Sequence, residues 1–386
     1  MFMKTATDHF LKQLDIIKHG SLKLTLPDGR THYFSGDSHG ATADMTITHW
    51  EVISNLLSKG DIGLADDYRK GLWDTSDLIA LTTLALENRH ALDNCLSGHP
   101  LSRVMAMLSY LFKLNTLRGS KKNIHAHYDL GNAFYSLWLD STMTYSSAIF
   151  KGEDETLEQA QHNKYDRILD LLDANSGDLL EVGCGWGGFA ERAVTKTNLG
   201  LKGITLSEEQ HHFARKRLKN SANIVLEDYR HQQSKVDYLV SIEMFEAVGE
   251  RYWSTYFNKI ASLLKNKGKA IVQTITINDQ DFASYRRGGD FIRSYIFPGG
   301  MLPSPSRFQE VAKDAGLMTG SPYFFGEDYA TTLKHWLDNF DQQRDRVIEL
   351  GFDEPFIRLW RFYLAACISG FKTGKTDVMQ IELAHA

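Results

Sequence analysis

The residues of this chain best suited to holding a ligand lie in one stretch, Leu179–Ala193, which reads LLEVGCGWGGFAERA. It sets Gly183, Gly185, Gly187 and Gly188 between an apolar run and a helical pattern. Glycine tolerates positive φ and lets a backbone approach a ligand closely. The crevice at the carboxyl ends of strands is where open α/β sheets bind ligands. Glu181 adds a carboxylate just ahead of the loop. A dinucleotide site usually spaces its glycines as GxGxxG, so this loop leaves the ligand open at that level. Cys184, inside the loop, reads as a small packed residue rather than a nucleophile.

The elements that must position these residues follow from periodicity. Asp178–Cys184, Leu201–Ser207, Ala222–Asp228, Val236–Ile242 and Gly268–Ile277 read as strands. Helical patterns begin at Gly187, Glu208 and Tyr252. Strands alternating with helices predict parallel βαβ units, and Val236–Ile242 has the continuous apolar character of a strand buried on both faces. Earlier residues have another texture. Ser21–Ser35 alternates around Pro27-Asp28-Gly29, a hairpin signal. Helical patterns follow near 49–60 and 75–94, the second capped by Ser76 or Asp77, and another covers about 100–117. We therefore expect a small α+β domain over 1–117 and an α/β domain over 118–386, with the basic run Arg118–Lys122 at the boundary.

Composition narrows the classes. The chain has 386 residues, enough for two domains, and a net charge of −5. That balance argues against a nucleic-acid binder, whose domain is usually strongly basic. Three scattered cysteines and no CxxC or Cys/His zinc spacing argue against a disulfide framework or a metal site, and a reduced cytoplasmic protein fits. The first twenty residues carry charges throughout and do not read as a signal peptide. No apolar run is long enough to span a bilayer.

The form E-V-G-C-G-W-G resembles the S-adenosylmethionine loop of Rossmann-like methyltransferases. The acidic residue usual at the end of the second strand is absent; Thr205, Leu206, Ser207 and Gln210 of GITLSEEQ stand there instead, suited to the ribose or carboxylate end of the cofactor. Asp228 and Tyr229 fall where such enzymes hold adenine. Five further segments, His127–Phe150, Ser241–Trp253, Tyr295–Ser304, Phe325–Trp336 and Phe362–Phe371, occur in an order that makes the chain resemble the cyclopropane-fatty-acid synthase family, which includes the mycolic acid methyltransferases. The resemblance is strongest over about 120–386, and the N-terminal part is compatible with the longer, phospholipid-acting members.

The resemblance implies a class I methyltransferase domain with a mainly parallel seven-stranded sheet. It implies transfer of a methyl group from S-adenosylmethionine to a double-bond carbon of an acyl chain. An alkene is a weak nucleophile, so the site must align it and exclude water. In the family a bound bicarbonate is associated with removing a proton from the resulting cation. Carried over by position, Tyr145, Ser146, Gly183, Gly185, the 205–210 segment and Tyr229 would contact the cofactor. Glu246, Tyr329 and the backbone at Ile275 would form the bicarbonate site. Two positions depart from the family pattern. Ser147 stands where a cysteine is usual, and Gln273 where a histidine is usual. Gln cannot take up a proton as His does, although Ser and Gln still donate hydrogen bonds. Either bicarbonate binds through Ser147, Gln273, Glu246 and Tyr329, or Glu246 acts as base itself and a methylated alkene forms rather than a ring.

Phe134, Tyr135, Trp138, Met143, Phe245, Ile296, Phe297 and Met301 are candidate walls for an acyl chain. Arg286, Arg287 and Arg293, with Arg118, Lys121 and Lys122, are candidates for lipid phosphate. The implied partners are unsaturated phospholipid acyl chains and a membrane surface, met peripherally from the cytoplasmic side, and the resemblance admits a homodimer. Two alternatives stay open: a methyltransferase of soluble small molecules, and a catalytically degenerate lipid-binding relative.

Overall fold

A computed structural model describes residues 2–92 and 130–386 of the chain. It divides into two compact units. The first takes residues 1–112 and adds two later segments, 283–298 and 341–375. The boundary expected near 117, with Arg118, Lys121, Lys122 and the start of the His127 motif, lies outside the described residues.

The first unit is α+β. Strands β1 (His19–Thr25), β2 (Thr31–Ser35), β3 (Ser38–Ile47) and β4 (Trp73–Asp74) form a sheet in the order β2-β1-β3-β4. β1 and β2 are the expected hairpin, with Leu22 opposite Phe34. Gly29, at φ 83°, turns the chain, and its N–H donates to the Leu26 carbonyl at 2.9 Å. Helix α1 (Leu78–Glu87) begins at Asp77, whose carboxylate accepts the Ala80 N–H at 2.9 Å. The late helix Glu354–Lys372 belongs to this unit because it packs on α1, where Ser369 Oγ and Thr82 Oγ1 lie 2.7 Å apart. Its Arg358 guanidinium sits 3.9 Å from the Tyr68 ring centroid.

The second unit is α/β. Its sheet runs β10-β12-β9-β8-β5-β6-β7, where β10 is Leu317–Thr319, with the two-residue β11 (Tyr323–Phe324) paired to β12 off that path. β5 (Ser176–Val182), β6 (Asn198–Thr205), β7 (Asn223–Leu226), β8 (Val236–Ile242) and β9 (Leu264–Ile277) are mutually parallel. β12 (Thr376–His385) returns antiparallel beside β9 and sets Gln380 opposite Gln273. The sheet is thus mainly parallel, seven strands along its path plus the β11 addition. Helices α2 (Leu157–Leu172), α3 (Gly188–Lys196), α4 (Glu208–Leu218), α5 (Trp253–Leu263) and α6 (Gly326–Gln342) complete the frame. Ile168, Ala190, Ala193, Ala214, Val240 and Ile271 are all fully buried in one cluster that fixes α2, α3 and α4 against the strands.

Candidate active site

Parallel strands bring their carboxyl ends to one edge, and the cavity lies there. It is lined by Tyr145, Ser146, Glu181, Gly183, Gly185, Thr205, Leu206, Gln210, Asp228 and Tyr229, among others. Gly183 has φ 82°, and a Cβ placed there would lie 2.9 Å from Met244 Cγ, so the turn needs a residue without a side chain. Ser207 does not line the cavity; its Oγ accepts the Gln210 N–H at 3.3 Å and caps α4. Gln210 and Thr205 side chains bond each other at 2.8 Å. Asp228 is engaged by Arg230 through Nε at 2.9 Å and Nη2 at 2.6 Å. Burial opposes its ionisation, but the Arg230 hydrogen bonds outweigh burial and hold the carboxyl below the usual range. Burial raises the Cys184 thiol well above its ordinary value, so it stays a protonated, packed group.

Glu181 supplies the test of fit for a cofactor. It is 3% exposed, borders the cavity, and its Oε2 has no hydrogen-bond partner among the described residues. Burial raises its pKa to about 8, opposed by Lys164. An acceptor buried without a donor is costly, and the amino and hydroxyl groups of S-adenosylmethionine are donors. The glycine turn and this carboxyl therefore suit that cofactor.

Beside this cavity lies a second constellation whose centre is Glu243, a residue that sequence reasoning missed. The residue borders the cavity. Oε1 accepts the Ser147 N–H at 2.9 Å and Gln273 Nε2 at 2.8 Å, and Oε2 accepts the Tyr329 hydroxyl at 2.6 Å. Gln273 is oriented in turn by Gln380, whose Nε2 donates to Gln273 Oε1 at 2.9 Å. Ser147 contributes its backbone; its hydroxyl turns to the Ala148 carbonyl at 3.0 Å. Glu246 sits next to this group and accepts the Ile275 N–H. Three residues expected around bicarbonate, Ser147, Gln273 and Tyr329, are thus gathered on a carboxylate of the protein itself, while Glu246 and Ile275 pair with each other. The one sequence signal for Glu243 was a second acid three residues before Glu246 in Ser241–Trp253.

The two acids differ in support. Burial raises both. Glu243 is opposed by Tyr329, Lys164, Ser147 and Gln273, so it is the better holder of the negative charge. Glu246, which Glu243 repels, is pushed to about 8 and carries the proton near neutrality. Buried carboxylates in proximity divide their protons in this way.

Of the candidate acyl-chain walls, Met143 borders the cavity. Phe245 is instead ordinary core, packed between Trp253, Tyr256, Phe257 and Phe308. Phe134 and Trp138 pack on each other with centroids 5.9 Å apart. Arg293 is not available to phosphate: it is 7% exposed and is bonded to Asp290 and to the carbonyls of Tyr285 and Gly288.

A glycine turn after the first parallel strand, a cavity at the strand ends and an unpaired acid facing it define a class I S-adenosylmethionine-dependent methyltransferase. Residues 115–381 match the family model described as mycolic acid cyclopropane synthetase. The chain belongs to this cyclopropane synthase family. It is 33% identical over 378 residues to the tuberculostearic acid methyltransferase UfaA1 of Mycobacterium tuberculosis, covering 94% of this chain and 87% of that protein. It is 32% identical over 343 residues to the cyclopropane-fatty-acyl-phospholipid synthase of Escherichia coli, covering 88% and 87%. The solved structure of mycolic acid cyclopropane synthase CmaA1, complexed with SAH and CTAB, superposes with a TM-score of 0.64 at 33% identity, covering 68% of this chain and 97% of that one. The chain is an S-adenosylmethionine-dependent methyltransferase of that family.

Proposed function

We propose that the enzyme methylates a double-bond carbon of an unsaturated acyl chain in a phospholipid, and that Glu243 takes the place of bicarbonate as proton acceptor. The cofactor, when bound, supplies an electrophilic methyl group. The cavity holds the alkene so that its π electrons form the new C–C bond as the C–S bond breaks, the electron pair staying on sulfur. The adjacent carbon is left cationic. A proton then passes to the Glu243 carboxylate. Loss from another chain carbon gives a methylated alkene, and loss from the new methyl with ring closure gives a cyclopropane. The observation that carries the reading is the set of three donors, Ser147 N–H, Gln273 and Tyr329, converging on Glu243 beside the cavity. The names of the relatives, a tuberculostearic acid methyltransferase and a cyclopropane-fatty-acyl-phospholipid synthase, favour acyl lipid over a soluble amine.

Tyr145, Ser146, Glu181, Gly183, Gly185 and Tyr229 line the cofactor pocket in this reading. Glu246 is the neutral partner that keeps the pair at a single negative charge. The N-terminal α+β domain engages lipid, and the enzyme works peripherally at the inner face of the membrane; among the described residues no helix is long and apolar enough to cross one.

The test is expression in a host rich in monounsaturated phospholipid, followed by NMR of purified fatty acids, because the two products are isomers that mass alone does not separate. A methyl-branched chain that disappears with Glu243→Gln is expected. A pure cyclopropane defeats the methylation preference, and full activity in Glu243→Gln defeats the proton-acceptor assignment.

A further inference from the structure

Behind Ser146, which lines the cavity, lies a lysine that the chemistry above does not use. Lys164, on α2, is fully buried. Its Nζ donates to Ser146 Oγ at 2.7 Å and lies 4.4 Å from the Tyr165 ring centroid. One turn earlier, Gln161 Nε2 donates to the Ser146 carbonyl at 2.9 Å. One face of α2 therefore grips Ser146 by both side chain and backbone, and the next N–H along the chain, that of Ser147, is a donor to Glu243. The charged groups acting on Lys164 are Glu243 after β8, Asp140 in the loop before Thr142, and Glu181 on β5. Tyr165, its neighbour, is a neutral phenol bonded to Thr144 Oγ1 at 2.6 Å.

We propose that Lys164 is a positioning residue for the proton acceptor: its ammonium is the counter-charge that keeps Glu243 ionised, and its bond to Ser146 holds the segment that delivers the Ser147 donor. The inference rests on Glu243 being that acceptor. Charge accounting supports it. Glu181 and Glu246, each raised by burial to about 8, are mainly protonated at neutral pH. That leaves the Lys164 ammonium facing two carboxylates, Glu243 and Asp140, so it is the cation that offsets negative charge in a region where an unopposed charge is expensive. Burial drives Lys164 down to about 7, with Glu243 foremost among the groups that hold its proton on.

The experiment compares Lys164→Met with Lys164→Arg on mixed phospholipid vesicles with saturating cofactor. Without its cation Glu243 should be harder to ionise, so the acidic limb of kcat in Lys164→Met should move up by roughly one pH unit. Well below that limb the variant should lose about tenfold in kcat with KM little changed, and at pH 7 roughly two- to fivefold. Lys164→Arg should keep the wild-type limb. An unmoved limb in Lys164→Met, or equal loss at all pH values in both variants, overturns the proposal. A readout without turnover is the 13Cε lysine NMR titration of the cofactor-free protein, with Lys164 assigned by its loss in Lys164→Arg. Its midpoint should lie far below that of an ordinary lysine and fall further in Glu243→Gln; no change there overturns the pairing even if Lys164→Met does not fold. Full activity in Glu243→Gln with that NMR shift intact sinks the acceptor role and leaves the pairing standing.

Discussion

Glu243 is the residue on which the chemistry turns, and its backbone explains why it was hard to see. It is a non-glycine residue at φ 49°, a conformation that side chains adopt reluctantly. The twist aims its carboxyl at donors from the loop at Ser147, from β9 and from α6. No local spacing encodes that meeting, whereas the glycine turn and its acid were legible because they are local. Removing the side chain should leave an anion-sized space ringed by those donors, on a backbone that glycine fits better. Glu243→Gly should therefore fold and lose about a hundredfold or more in kcat, the range of a positioned base. Added formate, acetate or bicarbonate should restore part of that rate in a saturable way, and a rate indifferent to all of them would count against the site. Ser147→Ala removes a hydroxyl that among the described residues bonds only its neighbour's carbonyl, so kcat should change less than about twofold if the backbone donor is what matters.

At the scale of elements, β9 and β12 connect the acceptor to the sheet. Their antiparallel register pairs Gln273 with Gln380, and Gln380 holds the Gln273 amide so that its NH2 points to Glu243. The strand itself was predicted from its apolar run. Its antiparallel neighbour was not, because a strand returning from a later segment carries no mark of its partner. Gln380→Leu should leave Gln273 Oε1 buried without a donor, at a cost of about 1–3 kcal/mol. Denaturant unfolding would measure that cost, and a several-fold fall in kcat should accompany it. The glycine turn makes a second element-scale prediction. Gly183→Ala places a methyl 2.9 Å from Met244 Cγ at φ 82°, so calorimetry should show cofactor affinity reduced at least tenfold; unchanged affinity would mean that the turn is not the cradle.

For the whole molecule, keeping two acids neutral inside the α/β unit ties stability to pH. Glu181 and Glu246 each rise from 4.5 to about 8 on folding, with burial the leading cause. Between those values the folded state binds more protons than the unfolded chain, so stability is fully present below about pH 4.5 and declines as pH rises. Lys164 works oppositely, since its pKa falls to about 7; above that value the unfolded chain holds the extra proton, and rising pH favours the fold. Glu181 and Glu246 thus act in the window from about 4.5 to 7, each contributing a slope near 1.4 kcal/mol per pH unit at most, alongside Asp61 and Asp328, which burial raises to about 7 and about 6. Glu246→Gln keeps the shape and cannot ionise. Thermal unfolding of the cofactor-free enzyme should show its melting temperature falling less between pH 5 and pH 7 than the wild type's. The double variant Glu181→Gln/Glu246→Gln should be flatter still. Parallel pH profiles for the three proteins would mean that these carboxyls ionise freely in the fold, and the single negative charge assigned to the acceptor pair would have to be abandoned.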